Sequence, residues 1–120
     1  MSNKIQEAQA IAAAKAEELS AQLGVKVHPL VFKGDTDDDA VIGYIKEPPR
    51  AVKIAIMDKS LVGMYSAVEQ VLENILIREH SDPRTYSEKA EHDKIYLGAV
   101  MAAYDLIQIS INQFQEVKKK

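Results

Sequence analysis

The residues best suited to chemistry sit in one short run, Gly34-Asp35-Thr36-Asp37-Asp38-Asp39. Asp35, Asp37 and Asp39 occupy the first, third and fifth positions of a calcium-binding EF-hand loop, where alternating carboxylates converge on a hard cation. The pattern then breaks. The sixth position is Ala40, where the sharp turn needs glycine, and the twelfth is Lys46, where a bidentate glutamate should stand. Aspartates also favour turns by hydrogen bonding to their own backbone, so the run reads as a polar turn. The three histidines, His28, His80 and His92, include no pair at the tight spacing of a zinc site. His80 and His92 would meet only if the segment between them closes, with Asp82 or Asp93 as a third ligand. Cysteine is absent, which removes disulfides, thiolate metal sites and a cysteine nucleophile. There is no GxSxG elbow, no GxxxxGK[ST] phosphate loop and no GxGxxG motif after a strand. The sequence thus offers no catalytic residue, no metal ligand set and no cofactor site, and it points to a protein that works by binding.

The whole-chain totals narrow what is bound. A chain of 120 residues is one domain in size and long enough to bury a core. A net charge of −3 supplies no broad basic face for nucleic acid. No apolar run approaches the roughly 20 residues of a membrane span, and the N-terminus lacks the basic and apolar regions of a signal peptide. With no cysteine, a reducing cytoplasm is the expected compartment. The basic cluster Lys118, Lys119 and Lys120 reads as a solvated helix end.

The elements follow from periodicity and punctuation. Ile5, Ala8, Ala12, Leu19 and Leu23, with Ala16 between, give a helical stripe over residues 3–23, and Gly24 stands where a left-handed cap belongs. The alanines give helix propensity with little apolar payload, so residues 1–24 are expected to serve as an oligomerisation or mobile arm on a core of residues 25–117. Residues 25–33 and 40–46 read as strands joined by the acidic turn, with Pro29 confining the first to an edge and Gly43 suggesting a bulge or close approach. Pro48 and Pro49 end the second strand and open a short helix that is apolar nearly all round and so expected to be largely buried. Residues 61–65 are expected as a link, residues 64–79 as a third helix with its stripe at Val68, Val71, Leu72, Ile75 and Leu76. Residues 80–93 read as a long exposed loop, and residues 94–117 as a central helix contacted on several sides. The fold class is α+β: an N-terminal helix, a small antiparallel β-hairpin, then three helices packed on one face.

The stretch IGYIKEPPR, residues 42–50, is the other feature of interest. Tyr44, Lys46, Pro48, Pro49 and Arg50 form the strand-to-helix corner. Tyrosine and arginine there could anchor a protein partner, although the same residues also serve simply to pack and to end a strand. The run GYIKEPPRAVKIAIMDKS, followed by a helix, a polar segment from His80 and Asp93-Lys94-Ile95-Tyr96 opening a last apolar helix, resembles small tail assembly chaperones of tailed bacteriophages and prophages. The resemblance spans residues 27–117. It implies a non-enzymatic role in the bacterial host cytoplasm, keeping the long tape-measure protein soluble and passing it to tail-tube protein. It also implies weak, multi-copy contacts with those partners. Apart from the resemblance, a homo-oligomer formed through the N-terminal helix is a further expectation. Two other readings remain: a generic adaptor or oligomerisation module with another partner, and, less favoured, a metal protein or enzyme using the acidic turn or the loop histidines.

Overall fold

The computed structural model describes the backbone of residues 3–57 and 61–119, and the side-chain surroundings of residues 4–56, 63 and 65–108. Helix α1 (Asn3–Leu23) leads into strands β1 (Val27–Lys33) and β2 (Ala40–Lys46), then helices α2 (Arg50–Met57) and α3 (Leu61–Ile75). Three short 3-10 turns, Arg78–His80, Pro83–Tyr86 and Ala90–His92, carry the chain to α4 (Asp93–Lys119). This is the expected α+β order.

The two strands pair antiparallel in an unbroken register from Val27 opposite Lys46 to Lys33 opposite Ala40. Gly43 pairs with Leu30 inside that ladder, so it makes no bulge. Side chains alternate across the hairpin, as strand geometry requires, and each face has its own apolar cluster. Leu30 and Ile45 point into a core with Ile56 of α2, Val68, Leu72 and Ile75 of α3, and Ala99, Val100, Ala103 and Ile107 of α4. Val27 and Tyr44 point the other way, onto Ala12, Ala16 and Leu19 of α1. Fully burying each leucine or isoleucine contributes about 1.5–3 kcal/mol, so the first cluster carries most of the apolar stabilisation.

Helix α1 therefore lies on the hairpin, on the face opposite the other three helices. Its small payload is what permits this. Ala8, Ala12 and Ala16, spaced four apart, present methyl groups that let the helix approach β1 and β2 closely, and all three are buried. Gly24 ends the helix at φ +70°, where a side chain would be strained, and its N–H donates to the Ser20 carbonyl. The Ser20 hydroxyl accepts from the Val27 N–H at 2.9 Å, tying the helix end to the first residue of β1.

Four expectations need correction. Residues 61–65 are not a link: α3 begins at Leu61 and ends at Ile75, four residues before the expected end. The chain leaves the helix there because Leu76 forms a bridge to Ile45 and the Ile77 N–H donates to the Tyr44 carbonyl. Helix α2 is not largely buried. Ile56 is enclosed, but Ile54 is 51% exposed. The segment from His80 is an exposed loop only in part: residues 88–91 lie at the surface, but three 3-10 turns order the segment, and Ser81 and Thr85 are buried. Its polar groups bond to distant parts of the chain: the Ser81 hydroxyl accepts from the Tyr44 N–H, and the backbone Asp82 N–H donates to the Ile42 carbonyl. These bonds cover the outer edge of β2, which would otherwise invite strand addition. Finally, the described part of α4 is not contacted all round, because Leu97 and Met101 are each 55% exposed. The side chains of residues 109–120, including the lysine tail, lie outside the described residues.

Candidate functional site

The strand-to-helix corner presents only part of the expected set. Tyr44 is 4% exposed, because β2 alternation turns it onto α1, and burial pushes its hydroxyl pKa up. It is a core residue and not an exposed anchor. Pro48 is also buried, whereas Lys46, Pro49 and Arg50 are exposed. The Pro49 carbonyl accepts from the N–H groups of Val52 and Lys53, so the proline opens α2 as its fixed φ allows. Beneath the corner, the Glu47 carboxylate bridges the imidazole of His28 and the ammonium of Lys53. The pKa of His28 is lowered, first by burial and then by the positive charges of Lys26 and Lys53. With Lys53 already neutralising Glu47, the histidine is neutral and donates its Nε2 proton.

The acidic turn has its cation, and it is an arginine from the far segment. Arg84 Nη1 and Nη2 grip Asp39 Oδ2 and Oδ1 at 2.7 and 2.9 Å. Arg84 Nε and Nη2 also donate to Asp82 Oδ1 and Oδ2 at 3.1 and 2.9 Å, and Asp35 stands 3.6 Å from Nη1. The hydrogen bonds from Arg84 hold the Asp39 carboxyl down at about 2. Burial alone would raise Asp82, but the Arg84 contacts outweigh it and its pKa is lowered. Asp37 takes the ammonium of Lys33 at 3.1 Å. The turn is thus a latch between the hairpin and the Pro83–Tyr86 turn. His92 Nδ1 pairs with the Ser87 hydroxyl at 2.7 Å, and His80 is exposed. Among the described residues no group of three or more histidine and carboxylate side chains is arranged to hold a metal ion.

The segment also builds a groove that sequence reasoning missed. Between α3, the Pro83–Tyr86 turn and the start of α4 lies an open cavity of about 400 Å³. Leu72, Leu76 and Tyr86 give it an apolar floor, and among the described residues Glu69, Glu73, Glu88 and Asp93 line it against a single cation, Arg78. The guanidinium of Arg78 sits over the Tyr86 ring, 5.2 Å from its centroid, which fixes the ring as one wall. Tyr96 donates from its hydroxyl to Glu69 at 2.6 Å. Its pKa is pushed up to about 12, chiefly by burial and then by Glu69, so it stays a hydrogen-bond donor at neutral pH. A wider depression of about 620 Å³ continues past Arg78, Tyr86 and Glu88 toward Lys89 and His92. The sequence did carry a trace of this site. Glu69 and Glu73 stand four apart on the polar side of α3 and share that side with no lysine or arginine of the helix.

In comparisons with known proteins, no family model matches the chain, and no curated protein or solved structure is significantly similar to it. Among the described residues no helix is long and apolar enough to cross a membrane.

Proposed function

We propose that the protein is a non-enzymatic, protein-binding factor of the tail assembly chaperone type, which holds a segment of a long helical partner in the groove between α3 and α4. The observation that carries the reading is the groove's lining, an apolar floor of Leu72, Leu76 and Tyr86 under a rim of four carboxylates. That combination suits a helical segment with an apolar side chain pointing in and lysines or arginines over the rim, the helix-in-groove mode of peptide recognition. The open form and charged rim suit contacts that are released when another protein displaces them, as handing a tape-measure protein to tail-tube protein requires. The exposed corner residues Lys46, Pro49 and Arg50 are the alternative contact surface.

Co-expression with a tape-measure fragment tests the reading. The fragment should stay soluble and co-purify with the wild-type chain. Glu73→Lys together with Glu88→Lys should lose it, because both carboxylates line the groove. Arg50→Glu at the corner should retain it. A fragment that is insoluble with or without the chain refutes the chaperone role, and loss through Arg50→Glu alone moves the contact to the corner.

A further inference from the structure

Helix α4 has a solvent-facing row that neither the core nor the groove uses. Lys94, Leu97, Met101 and Asp105 are all exposed. At about 100° per residue they fall within a sector of about 80°. The row is flanked by Tyr104, whose ring packs on the exposed Tyr65 of α3 with centroids 4.6 Å apart. Two large apolar side chains, each 55% exposed and one turn apart, thus stand between a cation and an anion at the two ends of the row.

The order along the row is nearly self-complementary. Lys94 and Asp105 lie symmetrically about a point between Ala99 and Val100, and Leu97 and Met101 lie symmetrically about Ala99. Laying a second copy of α4 antiparallel on the first therefore does two things at once. It sets Lys94 of each copy against Asp105 of the other, and it brings Leu97 of each beside Met101 of the other. A parallel arrangement would instead set lysine against lysine and aspartate against aspartate. Antiparallel pairing about a two-fold axis is also closed, so association stops at two copies.

We infer that the Lys94–Asp105 face of α4 is a self-association surface, and that its occupant is a second copy of this chain in antiparallel register. The proposal does not rest on the groove or on its partner. Three turns of helix bury less than the roughly 1,200 Å² of a stable interface. The dimer is therefore weak, with a dissociation constant on the order of tens to hundreds of micromolar.

Sedimentation velocity of the full chain from about 10 μM to about 1 mM tests it. The expected result is a monomer–dimer equilibrium. Lys94→Asp or Asp105→Lys alone weakens it about tenfold or more by placing like charges together. The double variant Lys94→Asp with Asp105→Lys restores it, because the charge pairs re-form with reversed sign. All four positions are exposed, so circular dichroism should show unchanged folding in each variant. A monomer throughout the range overturns the proposal. So does a dimer that ignores the single reversals, which would place the seam elsewhere, for example on α1. Failure of the double variant to recover overturns the antiparallel register.

Discussion

Replacing Arg84 with methionine keeps most of the aliphatic stem and removes the guanidinium that joins the hairpin turn to the Pro83–Tyr86 turn. The size of the loss can be worked from the geometry. Arg84 makes two hydrogen bonds to Asp39 and two to Asp82, with the three side chains 24%, 24% and 20% exposed. Fully exposed ion pairs contribute about 0.2–1 kcal/mol, and charged hydrogen bonds inside proteins about 1.5–3 kcal/mol each. A carboxyl held at about 2 in place of 3.8 would contribute at most ~2.4 kcal/mol. Partial contact with solvent screens this to ~1–1.5 kcal/mol. Adding a smaller share from Asp82, the expected loss is about 2 kcal/mol at pH 7.

The pH dependence separates the ion-pair account from loss of packing. Asp39 has its folded pKa lowered, so its contribution is complete above about pH 4 and disappears as pH falls through about 2. Urea unfolding of wild type and Arg84→Met should therefore differ by about 2 kcal/mol at pH 7 and converge as pH approaches 2. A gap that persists undiminished at pH 2 would show that Arg84 acts through packing. A gap below about 0.5 kcal/mol at pH 7 would show that the latch is a surface ion pair of no consequence.

Three further outcomes are expected. Ser81→Ala leaves the buried Tyr44 N–H without its acceptor and should cost about 1–3 kcal/mol in urea unfolding; a neutral result would mean water replaces the hydroxyl. Gly98→Ala would place a methyl group 2.6 Å from Phe32 Cε2, so the ring must shift, and thermal unfolding should report a loss of about 1–3 kcal/mol. His28 has its folded pKa lowered below 6.5, so the unfolded chain takes up its proton first and stability should fall as pH drops from about 6.5. That slope should vanish in His28→Gln, as followed by chemical denaturation between pH 7 and pH 5.

Helices and strands that announce themselves by period were legible in the sequence. Residues 3–23 and 40–46 were delimited by an alanine–leucine stripe and a β-branched run, each stopped by glycine or proline, and the structure keeps both sets of bounds. The stripe on α3 was equally readable, but its end was not, because Leu76 and Ile77 continue the apolar run while bonding to β2. Whether Tyr44 packs or stands exposed is open in the sequence for a related reason. Sequence gave its neighbours along the strand, but burial came from α1, whose alanines signal propensity and conceal close approach. The polar segment from His80 was the hardest to read. Composition says water, yet Ser81, Asp82 and Arg84 spend their hydrogen bonds on residues roughly 40 positions away, such as Tyr44 and Asp39. Polarity reports a need for partners and is silent on whether those partners are solvent.

The latch and the groove share one short piece of chain. Asp82 caps the Pro83–Tyr86 turn by accepting from the Arg84 N–H, and Arg84 reaches from that turn to Asp39. Thr85 and Tyr86, the next two residues, line the groove and face α3 and α4. One side of the turn is therefore anchored to the hairpin while the other forms a wall of the groove. Weakening the anchor should disturb the wall without changing any groove residue other than through that turn. Arg84→Met should accordingly reduce retention of a bound helical fragment in step with its loss of stability. Glu73→Lys should reduce retention with stability unchanged, since Glu73 is exposed and acts only at the rim. Measuring fragment binding beside urea unfolding for both variants reads the two effects apart. If Arg84→Met loses stability and binds as wild type does, the turn is not what shapes the groove.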